Sequence, residues 1–529
     1  MESQVASRSL AVKWRGLAAA AAILAGGCWL RFAYIGGPYT QPDEPIAPYV
    51  VSRVLSSGGL DTNWAHTPLG ADFGVAQYNF SSYYLALSLL ERVRVAAGAH
   101  PAAQGIEGRI VFYRACSAGF GTLALALAML LAFRIQGWGL AVAAGLWIAI
   151  NPLLVQDSHY ARPEAFLTLA ALGLVWICGT RRLSPGWRSP LAGLVFGLMV
   201  ACKVTLLLWF WLPLVACFQD RGDWGRCTWG ARLARASLAA AGAAAGFAAG
   251  APRAIADMGG YLAGLRYLNN EYGHSIISSS HYPSAAVYDF LGRYLTETVG
   301  WGVALFFAVG LAHSVAKRRW RLLLTVFLPS LSLAAFLGSR LVFFERNFSH
   351  AMPLYLLGAG VGLGALADVG RIRRWSRPLF FILAGAAALV PAELTGRMVF
   401  KGFSGLFERE REPQLARFLA ALQLPAADMS HLVVAASDDD PWFQRRWEES
   451  PEPYVVVWAD VNPDFTRRCL QRLQVRFKFE QRAVLPGLFD DLRGPNTLRD
   501  YLCRTLRAFV FHGLRAPGQG AGAGERAHP

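Results

Sequence analysis

Ser117–Phe133 reads SAGFGTLALALAMLLAF, seventeen consecutive residues without an ionisable side chain. As a helix this run covers about 26 Å, close to the thickness of the hydrocarbon layer of a bilayer. Comparable blocks recur at Ala236–Pro252, Leu322–Ser339, Ala351–Ala367 and Pro378–Ala392. Across all 529 residues, 54% are hydrophobic, only 16% are charged, and mean hydropathy is +0.33. Disorder is excluded, because it needs low hydrophobicity and dense charge. A soluble enzyme of this size would carry about 25% charged residues. The apolar content, gathered into blocks, places the chain in a membrane.

The blocks predict a polytopic α-helical membrane protein with about eleven transmembrane helices, from Leu17–Ile35 to Pro378–Ala392. Basic residues cluster in alternate loops: Arg8, Lys13 and Arg15; Arg134; Arg181, Arg182 and Arg188; Arg221, Arg226, Arg232 and Arg235; Lys317, Arg318, Arg319 and Arg321; Arg371, Arg373, Arg374 and Arg377. These 19 cations face only Glu2, Asp220, Asp223 and Asp368, whereas the rest of the first 400 residues holds 14 of each sign. That is the positive-inside bias. It puts the amino terminus in the cytoplasm and everything after Ala392 outside. It also keeps Leu191–Cys202 and Val204–Phe218 as separate spans, since merging them would put the Arg181 and Arg221 clusters on opposite faces. The net charge of +16 therefore reports orientation, and short inter-span loops are a poor platform for nucleic acid. Trp29 and Leu30 continue the first apolar block past Cys28, so the first span reads as uncleaved.

Residues 1–399 are thus expected to form the membrane domain, with a long first outer loop at 36–114. Tyr83–Leu90 within that loop suits an interfacial helix. Residues 400–515 have soluble composition and read as a small extracytoplasmic α/β domain, with a helix at Glu408–Leu422 and strands at His431–Ala436, Tyr454–Ala459 and Val475–Glu480. Residues 516–529, rich in Gly, Ala and Pro, read as a disordered tail. Cys469 and Cys503 lie in the outer domain, where an oxidising compartment allows them to pair. Cys28, Cys116, Cys178, Cys202 and Cys217 fall in or beside spans and read as small apolar packers.

The polar constellations fall on the outer face. Pro42-Asp43-Glu44-Pro45 follows the first span. Its carboxylate pair suits a general base with a helper, or else a helix start capped by Asp43. His159-Tyr160-Ala161-Arg162-Pro163-Glu164 opens the fourth span. Pro163 and Glu164 fit a helix N-terminus, but Arg162 meets the positive end of the dipole and so calls for an anionic partner: Glu164, Asp157 or a bound phosphate. Phe344-Glu345-Arg346-Asn347 precedes a late span. Lys203 sits between two short spans, as a snorkelling anchor or a phosphate contact. Cations at a membrane boundary can hold a lipid phosphate, with its sugar in water and its tail in the bilayer.

This order of motifs resembles the class C membrane glycosyltransferases, in the branch of the protein O-mannosyltransferases and the lipid A aminoarabinose transferase. The order is one span, a long loop opening on Asp43-Glu44, Arg109 and Arg114 before the second span, Tyr160-Ala161-Arg162-Pro163-Glu164, Lys203 and Arg346. The likeness covers roughly Leu17–Ala392. It implies a polyprenyl-phosphate sugar donor, an inverting transfer and a catalytic carboxylate at the start of the first outer loop. Asp43-Glu44 and the scattered histidines lack metal-ligand spacing, so no cofactor is required and a divalent ion near the pair stays open; the expected location is a bacterial inner membrane. The resemblance makes Asp43 the base and Glu44 its partner, with Arg162, Lys203, Arg346 and Arg114 as donor-phosphate contacts. His159, Tyr160 and Glu164 become acceptor or sugar contacts. Asn347 departs from the aromatic residue usual after that arginine, and only Pro353 of an expected proline pair is present. The acceptor is a protein, lipid or polysaccharide hydroxyl. The alternative is a lipid-linked sugar flippase or transporter, which would place ionisable groups at mid-membrane depth or repeat its halves. Neither signature is present in the clearest spans.

Overall fold

The computed structural model describes residues 2–37, 44–68, 70, 76–99, 105–180, 182–218, 228–273, 288, 291–340, 345–369, 376–406, 433–435, 454–459, 477–485 and 508–515. Asp43, the Glu408–Leu422 segment, Cys469, Cys503 and the 516–529 tail lie outside them. The chain divides into two units, the second beginning at Arg397 and taking in two short loop segments.

The first unit is helical. Its elements are α1 (Glu2–Phe32), α2 (Ile46–Ser57), α3 (Ser81–Ala96), α4 (Gly105–Gln136), α5 (Trp138–Ala149), α6 (Pro152–Ser158), α7 (Glu164–Gly179) and α8 (Pro185–Cys202). After these come α9 (Trp211–Phe218), α10 (Trp229–Gly250), α11 (Pro252–Ala256), α12 (Met258–Gly273), α13 (Trp301–Ala316), α14 (Trp320–Gly338), α15 (Met352–Val369) and α16 (Ser376–Arg397). By length and composition four described helices can cross a membrane, and the bent pair α5–α6 makes a fifth. Glu164–Gly179, Val204–Phe218, Trp301–Ala316 and Met352–Ala367 are apolar but shorter. The chain is a polytopic helical membrane protein. The four shorter helices correspond to four of the eleven expected blocks and are shorter than the length test requires.

Local chemistry sets the bends. Glu107 in the first turn of α4 and Arg134 in its last complement the helix dipole. Gly137, at φ 79°, then supplies the left-handed residue that turns α4 into α5. Between α5 and α6 the chain bends by 61°. There Asn151 caps α6, its Oδ1 accepting from the Leu154 amide at 3.1 Å, and Pro152 takes the first helical position. Arg31 at the end of α1 donates to the carbonyls of Gly27, Ile148 and Ala149 at 2.9, 3.0 and 3.3 Å, which ties α1 to the open end of α5. As a result, the whole 151–164 segment is turned inward and buried.

Helices α8 and α10 approach through glycines spaced four apart on both sides, Gly193 and Gly197 against Gly242 and Gly246. A Cβ on any of them would overlap a backbone carbonyl of the other helix: Ala239, Ala243, Pro190 and Leu194 respectively. Gly246→Val is expected to cost about 2 kcal/mol by overpacking and to lower the Tm of the purified protein by several degrees. Gly119→Ala, inside α4, adds its methyl to open space and is expected to raise the Tm slightly.

In the second unit the described residues from 433 onward form one four-stranded sheet in the order β1-β2-β4-β3, with β1 (Val433–Ala435), β2 (Tyr454–Ala459), β3 (Phe477–Leu485) and β4 (Ala508–Arg515). β1 and β2 pair in parallel; β4 pairs antiparallel with β2 and with β3, where the register shifts between Gln481 and Ala483. β4 has no counterpart in the sequence reading. Its Ala-Phe-Val-Phe run lacks the strict alternation that marks a half-buried strand.

Candidate active site

Three breaks in helical structure meet at one end of the first unit. In the 159–163 turn between α6 and α7, the Arg162 amide donates to the Tyr160 carbonyl at 2.8 Å. Ser117 on α4 holds the turn by donating to the Arg162 carbonyl at 3.4 Å. The Arg162 guanidinium then lies 3.6 Å from the Glu164 carboxylate. The second break is Lys203, whose extended backbone (φ −147°, ψ 109°) ends α8. The third is the short 3-10 turn Glu345–Phe348 before α15. The last two are joined directly, since Lys203 Nζ donates to Asn347 Oδ1 at 2.7 Å. Ser349, just beyond, donates to the buried Asp157 carboxylate on α6. Residues far apart in sequence are thereby fixed to one another through buried polar contacts.

These residues head a cavity of about 750 Å³. Arg162, Glu164, Lys203, Arg346 and Asn347 line its polar part, with Arg340 beside them. The rest is apolar, supplied by Leu207, Leu208 and Phe210 after Lys203, by Leu265 and Leu268 on α12, and by Leu333, Phe336 and Leu337 on α14. Four cations against one carboxylate give the lining a net positive charge. In a low-dielectric surrounding such a set attracts a phosphate far more strongly than it would in water.

The segment between α2 and α3 contributes a wall. Asp61 Oδ2 accepts from Arg53 Nε at 2.8 Å and lies 2.8 Å from His66 Nδ1, while Oδ1 accepts from the Asn63 amide at 3.0 Å. Partial burial pushes the Asp61 pKa up, but the bonds from Arg53, His66 and Asn63 outweigh it and hold it below the usual carboxylate range. The turn therefore stays ion-paired across the neutral range. Asn63 caps the next turn by accepting from the Ala65 amide at 2.9 Å. Trp64, bonded through Nε1 to the Asn79 carbonyl at 3.0 Å, is delivered to the cavity wall.

Other residues expected at the site are placed differently. Glu44 is fully buried: Oε1 accepts from Arg114 Nε at 2.8 Å and from the Ala161 amide at 2.8 Å, and Oε2 accepts from Arg114 Nη2 at 2.6 Å. This two-pronged ion pair commits Arg114 to Glu44, and neither residue lines the cavity. Arg114 is expected as a donor-phosphate contact; in the structure the pair forms a clasp joining the residue before α2, α4 and the 159–163 turn. His159 and Tyr160 are also buried away from the cavity lining. The His159 ring nitrogens lie 2.8 Å from the carbonyls of Val155 and Ala33, and the Arg114 guanidinium sits 5.6 Å from the Tyr160 ring centre. Both are expected as sugar or acceptor contacts; in the structure both are buried within the 159–163 turn, outside the cavity lining. Asp157, Asn347, Trp64 and Arg340 enter the arrangement without having been singled out as site residues. Among the described residues no cluster of three or more His, Cys, Asp or Glu is arranged to hold a metal.

No family model and no curated protein matches the sequence. Among solved structures the chain is similar to ArnT from Cupriavidus metallidurans bound to undecaprenyl phosphate, at 13% identity and a TM-score of 0.48, over 93% of this chain and 97% of that one. It is likewise similar to the apo state of that protein, at 14% identity and a TM-score of 0.47, over 95% and 98% of the two chains.

Proposed function

We propose that this chain is a class C membrane glycosyltransferase that moves a sugar from a polyprenyl-phosphate donor to an acceptor hydroxyl on the extracytoplasmic face. The observation that carries the reading is the composition of the 750 Å³ cavity: Arg162, Lys203 and Arg346 at one part, an apolar slot along the rest. A lipid-linked sugar phosphate has the matching halves, a charged linkage and a long hydrocarbon chain.

In this reading the bond between the anomeric carbon and the phosphate oxygen breaks, and its electron pair leaves with the polyprenyl phosphate. The charge developing on that oxygen is stabilised by Arg162, Lys203 and Arg346. The acceptor oxygen bonds to the opposite face of the carbon, inverting it, and its proton passes to Asp43 as general base. Asp43 adjoins Glu44 in the chain, and Glu44 is anchored to the Ala161 amide, one residue from Arg162. Glu44 and Arg114 then act as positioning residues; removing one partner of such a buried pair costs about 3–5 kcal/mol. Glu164, 3.6 Å from Arg162, orients that guanidinium. Residues 400–515 are proposed as an extracytoplasmic domain that meets the acceptor.

The test is mass spectrometry of surface glycans, glycoproteins and lipids from cells with and without the gene. Loss of one sugar modification, together with accumulation of its polyprenyl-phosphate form, is the expected result. Unchanged profiles under conditions in which the protein is expressed would refute the reading.

A further inference from the structure

A second cavity, of about 670 Å³, lies at the other end of α7. Gly179 and the following Thr180 line it, whereas Glu164 at the start of the helix lines the first cavity. The 16 residues of α7 separate the two by about 24 Å. This is the end that the charge bias assigns to the cytoplasm.

Four arginines from three separate connections converge on it: Arg134 at the end of α4, Arg182 between α7 and α8, and Arg319 and Arg321 around the start of α14. Among the described residues, none that lines it is acidic. Arg134 and Arg182 are close enough to act on each other as like charges. The Arg134 guanidinium carbon is 3.4 Å from the Trp176 ring centre, so the planar group is stacked on the ring. Arg321 donates to the Gly179 carbonyl and is thereby held against the end of α7. Between the cations the lining is apolar, with Leu131, Val175 and Val326 among its residues. Orientation bias alone requires only that inner loops be basic. It does not require Arg134, the lone cation of its own loop, to meet cations of two other loops around one hollow.

We propose that this cavity binds a phosphate-bearing anion, with an anionic membrane lipid headgroup as its natural source. The volume lies within the range of small-molecule sites. Guanidinium groups recognise phosphate oxygens in paired hydrogen bonds, and the apolar lining suits the glycerol and upper acyl carbons of a lipid. The site is separate from the donor cavity and does not depend on the glycosyltransferase reading.

Full-length protein in detergent, exposed to phosphatidylglycerol or phosphatidylcholine and examined by native mass spectrometry, tests the proposal. The wild type is expected to retain phosphatidylglycerol about tenfold better than phosphatidylcholine, and the Arg182→Gln/Arg319→Gln double variant is expected to lose that preference. Arg182→Lys/Arg319→Lys, which keeps the charge, is expected to retain most of it. Inorganic phosphate distinguishes the source. If it raises the wild-type Tm while phosphatidylglycerol shows no preference, the phosphate site stands and the lipid assignment fails. Equal retention of the two lipids by the wild type, with no response to phosphate, would overturn the proposal whether or not the Gln variant folds.

Discussion

Asp43→Asn is expected to lower sugar transfer about a thousandfold while leaving the protein folded, membrane-inserted and able to bind donor. Asparagine has the same shape but cannot take up the acceptor proton, and general-base catalysis contributes about 10²–10⁴-fold. Donor binding should survive because the cations proposed to meet the phosphate belong to other segments. The comparison with Glu44 sharpens the test. Glu44 satisfies Arg114 and the Ala161 amide in a buried setting, so Glu44→Gln should reduce the yield of folded protein rather than kcat alone. In vitro transfer from a labelled polyprenyl-phosphate sugar, with size-exclusion profiles of each variant, separates the two effects. Near-normal kcat in Asp43→Asn would remove Asp43 from the mechanism.

Lys203→Ala should lower kcat/KM about a hundredfold, from the loss of one charged contact that strengthens as the phosphate leaves. Lys203 is held toward the cavity by Asn347 at 2.7 Å, so its ammonium is already oriented before donor arrives. Asn347→Ala leaves the charge but removes that orientation, and a loss of about tenfold is expected. Lys203→Arg should recover only part of the activity, because a planar fork does not reproduce a compact ammonium at the same point. Steady-state kinetics with varied donor concentration measures each case. Unchanged kcat/KM in Lys203→Ala would leave Lys203 as a mere anchor at the interface.

How much of this was legible in the sequence depended on whether the signal was local. Apolar blocks such as Ser117–Phe133 announce helices because a run without charge has few other places to fold. Arg162 stood out as a cation set against the helix dipole, and Lys203 as a lysine between two apolar segments. Arg346 came from motif order, and the structure brings all three to one cavity. The pairing of Arg114 with Glu44 was not legible. A sequence does not distinguish an arginine committed to a distant carboxylate from one turned toward a ligand. The placement of His159 and Tyr160 depends on the 61° bend before α6, which directs the following turn inward. Trp64 reaches the cavity through the Asp61 and Asn63 turn, and Arg340 through the end of α14. Both come from tertiary packing rather than from any pattern of spacing.

The basic, apolar-walled cavity is proposed to hold the donor's phosphate. A cryo-electron-microscopy structure of the full-length protein with polyprenyl phosphate tests it most directly. Phosphate density is expected in contact with Arg162, Lys203 and Arg346, with the hydrocarbon chain running past Leu207, Phe210 and Phe336. A phosphate seated elsewhere, with those three side chains untouched, would contradict it.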